Sequence, residues 1–136
     1  MFTIEQIKAA HNTIKSGADF PVYIQNLMQI GVNGYETYSV DGHSTYFGYD
    51  EFTIDSGPLY ESIIVSDKKN KTQFLLDLKA NQNDKTDFLT FCRDCAKSGI
   101  EKWIVDIGEM TCTYYDKEGD PILKETIHTP FEVSHL

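Results

Sequence analysis

The sequence predicts an α+β protein: an internally duplicated α-α-β-β-β unit forming a mostly antiparallel sheet with helices packed on one side. Three observations lead there. Segments with helical apolar periodicity come before segments in which apolar and polar residues alternate. Short turn signals join successive strands, which makes neighbours antiparallel. The second half of the chain repeats the plan of the first at an offset of 68 residues.

Taken in order, a first helix over 4–15 opens with a Thr3–Gln6 capping box and turns Ile4, Ile7, Ala10 and Ile14 inward. A second helix starts at Asp19 as N-cap, tolerates Pro21 in its first turn, and carries the stripe Phe20, Tyr23, Ile24, Leu27. Gly31 followed by Val32 reads as a left-handed stop with an apolar residue behind it. Strands follow over 35–40, 43–47 and 52–54, with a further one over 62–65, and Asp41-Gly42 signals a type I′ hairpin. After the polar turn "SDKKNK" at 66–71 the plan recurs. Asn70 caps a helix over 71–82 with Phe74, Leu75 and Leu78 inward, and Asp87 caps one with the stripe Phe88, Phe91, Cys92, Cys95 and the stop Gly99-Ile100. Strands over 103–107, 110–115 and 122–127 complete it, with "DKEGDP" as a turn.

Residues 19–47 lie over 87–115 without a gap. Asp19/Asp87, Phe20/Phe88, Gly31/Gly99, Thr45/Thr113 and Tyr46/Tyr114 are identical, and Tyr35 aligns with Trp103. Ile54/Ile122, Val65/Val133 and Ser66/Ser134 also coincide. The chain is therefore read as a single domain, 1–136, built of two pseudo-repeats of about 1–68 and 69–136.

Composition narrows the function. A formal net charge of −9 with a single arginine, Arg93, opposes binding to nucleic acid or anionic lipid. The N-terminal stretch mixes Glu5 and Lys8 into an amphipathic pattern, so a soluble, cytoplasmic protein without a leader or membrane segment is expected. Three cysteines then read as free thiols.

"FCRDCAKSG" raises the sharper question, because Cys92 and Cys95 have the spacing of thiol redox centres and half zinc sites. Cys92 sits past the first turn of its helix, where the helix dipole no longer lowers a thiol pKa. In the other repeat the same positions hold Ile24 and Leu27, so both cysteines read as core. Cys112 lies on a strand with Met110 and Tyr114 on its face, and no second ligand pair completes a zinc site. His11 reads as a packing histidine on the first helix, His43 as a hairpin residue, and His128 and His135 as solvated. No nucleotide, nucleophile-elbow or zinc-protease signature is present.

The seam between two similar halves is the natural place for a cleft. Candidate ligand-binding residues there are Tyr35, His43, Tyr46, Trp103, Asp106 and Tyr114, with no catalytic residue, metal ligand or cofactor assigned. Flat aromatic faces suit a small apolar or aromatic ligand or a peptide, with tyrosine hydroxyls fixing its orientation.

The stretches "IKSGADFPVYIQNL", "GVNGYETYSVDGHSTYFG", "TFCRDCAKSGIEKWIVD" and "MTCTYYDKEGDPIL" resemble a small uncharacterised bacterial family of unknown function whose members often carry the label "phage envelope protein". That resemblance implies no particular chemistry. The expected function is a noncatalytic module holding a small molecule or protein partner at the seam, with its oligomeric state open. The alternatives are a thiol enzyme or redox sensor using Cys92/Cys95 or Cys112 with His43, and a phage-derived interaction protein.

Overall fold

The computed structural model describes residues 1–12 and 19–128. In chain order its elements are α1 (Ile4–His11), α2 (Phe20–Gln29), β1 (Gly34–Tyr38), β2 (Ser44–Phe47), β3 (Thr53–Asp55), α3 (Lys71–Gln82), α4 (Phe88–Lys97), β4 (Lys102–Asp106), β5 (Thr111–Tyr115) and β6 (Pro121–Thr126). The strands form one sheet, ordered β3-β2-β1-β4-β5-β6, and every neighbouring pair is antiparallel. The fold is α+β, as the patterning predicts. Ile14, Val133, Ser134 and His135 lie outside the described residues.

Local sequence explains how the helices start and stop. The Thr3 hydroxyl accepts the Gln6 N–H while the Gln6 side chain accepts the Thr3 N–H, which closes the capping box. Asn70 and Asp87 each cap by accepting an N–H three residues on, from Gln73 and Thr90. Asp19 differs: its backbone is already helical and its side chain makes no capping hydrogen bond. Both glycine stops are Schellman motifs. Gly31 and Gly99 have φ of +99° and +82°. The N–H groups of Val32 and Ile100 then reach back to the carbonyls of Leu27 and Cys95.

Strand parity decides which side chains enter the core. Tyr35 and Thr37 on β1, Ser44 and Tyr46 on β2, Trp103 and Val105 on β4, and Cys112 and Tyr114 on β5 are buried on one face. The helices cover that face with Ile7, Tyr23, Ile24, Leu27, Phe74, Leu78, Phe91, Cys92 and Cys95, all in one apolar cluster with the strand residues. The opposite face, with Glu36, Tyr38, Ile104 and Tyr115, is only half-buried. At the centre β1 and β4 pair with Glu36 opposite Ile104, two positions separated by the same 68 residues as the sequence offset. Tyr35 then faces Val105, and Trp103 faces Thr37.

Three expectations need correction. Residues 62–65 form no strand; Ile64 is exposed, and Ile63 donates its N–H to Val40 at 2.8 Å beyond the end of the first hairpin. The Asp41-Gly42 turn is not type I′, because only Gly42 has positive φ and the Tyr38 N–H reaches the His43 carbonyl around a four-residue loop. Leu59 and Tyr60 donate their N–H groups to the Asp41 carbonyl, and the Tyr60 ring packs so close that a Cβ on Gly42 would meet it at 2.9 Å. Leu75 is exposed because the inward stripe of α3 runs Phe74, Leu78, Asn81, leaving Leu75 on its flank.

Candidate functional site

Between the helices and the sheet lies a cavity of about 640 Å³, lined from both halves of the chain. One wall is built by Tyr23, Tyr35 and Tyr46, with ring centroids 6.1 and 5.2 Å apart in succession. The other is built by Phe88, Phe91, Trp103 and Tyr114, in which Trp103 lies 5.4 Å from Phe91 and 5.9 Å from Tyr114. His11 joins the two walls, edge-on to Tyr23 at 5.6 Å and to Phe88 at 5.1 Å. Helical spacing puts Tyr23 and Phe91 on the inward stripes of α2 and α4, and strand parity puts Tyr35 and Trp103 beneath them. The space is large enough for a drug-sized molecule and is lined mainly by carbon.

Its polar groups fall into two sets. The first set is internally satisfied: the Tyr23 and Tyr46 hydroxyls lie 3.1 Å apart, and the Thr37 and Ser44 hydroxyls 2.7 Å apart. The second set is not. Among the described residues neither the Tyr35 hydroxyl, nor the Trp103 Nε1–H, nor either ring nitrogen of His11 has a hydrogen-bond partner. Burial pushes the Tyr35 phenol well above its usual range, with the Cys112 and Tyr46 groups adding to the effect. Tyr35 is therefore a neutral donor across the physiological range.

Burial also lowers the His11 pKa below its ordinary value of 6.5. The sign follows from the neutral ring being the buried form. The unfolded chain takes up the proton first, so stability is complete above pH 6.5 and falls as pH drops through 6.5 toward the lower folded value. Titration of His11 by NMR is expected to give a midpoint below 6.5, and the urea midpoint is expected to be lower at pH 5 than at pH 7.5. His11→Gln should weaken that dependence, whereas a His11 midpoint at or above 6.5 contradicts the geometry.

Of the residues singled out in the sequence, Tyr35, Tyr46, Trp103 and Tyr114 come together in the cavity. His43 and Asp106 do not line it. His43 stacks on Tyr38 at 4.6 Å, and its Nδ1 meets the Asp41 carboxylate at 2.5 Å. Tyr38 has the parity of Glu36, so this pair belongs to the other side of the sheet. Asp106 is exposed, and its Oδ1 accepts the Glu109 N–H at 3.0 Å to shape the turn into β5. His11, Thr37, Ser44, Phe88 and Phe91 are cavity residues that the candidate set lacks. Only the position of Phe88 and Phe91 on an inward stripe signals their place.

The thiols are packing groups in the structure. Cys92 and Cys95 have no exposed surface, and Cys112 is nearly as deeply buried. Burial pushes the Cys92 and Cys112 thiols up to about 12, and that of Cys95 well above its usual value, so none is a thiolate near neutrality. Among the described residues no three His, Cys, Asp or Glu side chains gather as a metal site would require. No helix of the described residues is long and apolar enough to cross a membrane.

A search of curated proteins gives no match. A family model described as a protein of unknown function (DUF1398) matches residues 8–126, a span that takes in all four helices, all six strands and most of the cavity wall. The chain belongs to that family of unknown function, DUF1398.

Proposed function

We propose that the protein is a noncatalytic binding module that holds a small aromatic molecule between its helices and its sheet. The observation that carries this reading is the cavity itself. A space of about 640 Å³ bounded by Tyr23, Tyr35, Tyr46, Phe88, Phe91, Trp103 and Tyr114 is unusual inside a close-packed domain, where voids rarely exceed a water molecule. The aromatic walls offer ring faces for stacking, and burial there removes apolar ligand surface from water. Buried thiols held in the neutral form leave the redox alternative without a nucleophile.

The duplication belongs to the same proposal. It is supported by the ungapped offset in the sequence, the symmetric strand order, and the central pairing of Glu36 with Ile104. On this reading Tyr35 and Trp103 are equivalent residues that have diverged, and the cavity is the seam of the two units. A thermal-shift screen of tricyclic and bicyclic aromatic compounds tests the function. Binding to the native state alone at a concentration 100 times Kd raises stability by about 2.7 kcal/mol, a readily measured shift. A screen in which no aromatic compound moves the melting temperature contradicts the proposal.

A further inference from the structure

The cavity is not uniformly apolar, and the groups left without partners say what its occupant carries. Tyr35 and Trp103 are each only 4% exposed, and both line the cavity. Among the described residues neither the Tyr35 O–H nor the Trp103 Nε1–H is hydrogen-bonded, yet the one fully sealed side-chain polar atom without a hydrogen bond is Asp116 Oδ2, which lies against Lys69 instead. The two donors therefore still reach open space, and for residues so deeply placed that space is the cavity. The nearby hydroxyls of Tyr23, Tyr46, Thr37 and Ser44 are already engaged with one another. A buried donor left unmade is costly, so an occupant that supplies an acceptor gains more than one that only fills the volume.

Charge sets the other limit. The charged residues on the lining, Lys8, Glu125 and His128, are exposed or half-exposed and so mark its rim; the Glu125 carboxylate is engaged by the Gln82 side-chain amide at 3.2 Å. No charged side chain stands among the deep residues, where an ionised ligand group would be desolvated without a counter-charge. Resting on the binding reading above, we propose that the ligand is a neutral, planar aromatic compound bearing a carbonyl acceptor, with its rings between the aromatic walls and its oxygen taken by the Tyr35 hydroxyl and the Trp103 indole N–H. Tyr35 and Trp103 are thereby the specificity-determining residues of the site.

Fluorenone and fluorene make the test, because they share one ring skeleton and differ in a carbonyl against a methylene. Fluorenone is expected to bind about tenfold more tightly, the equivalent of one well-made buried hydrogen bond. Tyr35→Phe, which removes only the hydroxyl, and Trp103→Phe should each bring fluorenone down toward fluorene while leaving fluorene affinity unchanged. In the unaltered protein the indole N–H resonance of Trp103, the sole tryptophan, should move downfield with fluorenone and not with fluorene. Equal affinities, or variants that weaken both compounds alike, overturn the donor assignment and leave the cavity as a binding site. Failure of both compounds to bind overturns the two proposals together.

Discussion

Replacing Phe74 by alanine is expected to destabilise the protein by about 3–5 kcal/mol, close to the limit such a domain withstands. Phe74 has no exposed surface and its ring lies 4.9 Å from that of Tyr114, so the truncation opens a void where α3 meets β5. Phe74 does not line the cavity, which separates this loss from any effect on the candidate site. Leu76 on the same helix is 60% exposed, and its replacement by alanine is expected to change stability by less than about 0.5 kcal/mol. Urea unfolding of the two variants measures both values. A Phe74→Ala loss below about 1 kcal/mol would mean that α3 does not pack as described.

The cysteines provide the second large effect. A thiol with a pKa of about 12 is ionised at pH 8 to roughly one part in 10,000, against about one in ten for a thiol titrating at 9, so Cys92 and Cys112 should react about 1,000-fold more slowly in the native protein than in urea. Steric closure adds to that factor, since a reagent has to wait for the structure to open. A disulfide-exchange reagent at pH 8 is therefore expected to modify no cysteine of the native protein on the timescale that completes all three in the unfolded chain. Rapid modification of Cys92 or Cys95 in the native state would revive the redox reading and remove the argument that sulfur here replaces the hydrocarbon of Ile24 and Leu27.

What could be read in the sequence was whatever a local period or a local hydrogen bond determines. The stripes of α2 and α4 follow from residue spacing, and Gly31 and Gly99 announce their own backbone angles. The turn at Asp41-Gly42 was misread because a distant segment overrides it: Leu59 and Tyr60 bind the Asp41 carbonyl, and the Tyr60 hydroxyl donates to Ser39 at 2.6 Å. The apolar run at 62–65 has strand propensity, but no ladder forms there. At the site, Tyr35, Tyr46, Trp103 and Tyr114 were recoverable because aromatic residues at inward strand positions must meet. His43 and Asp106 were not separable from them by residue type alone, since what excludes them is the face they occupy. His11 shows the opposite failure. An imidazole on a helix edge looks like packing, and that its nitrogens have no hydrogen-bond partner among the described residues is visible only once α1, α2 and α4 are assembled.

The account stands on the cavity between helices and sheet being the place where a ligand enters. The single tryptophan forms part of its wall, so fluorescence titration of Trp103 with fluorenone measures that entry directly. Saturable quenching with a one-to-one end point, abolished when Ser44→Trp plugs the floor in a variant that still unfolds cooperatively, is the result the account predicts. Emission that stays unchanged, or quenching that persists undiminished in the plugged variant, would contradict it.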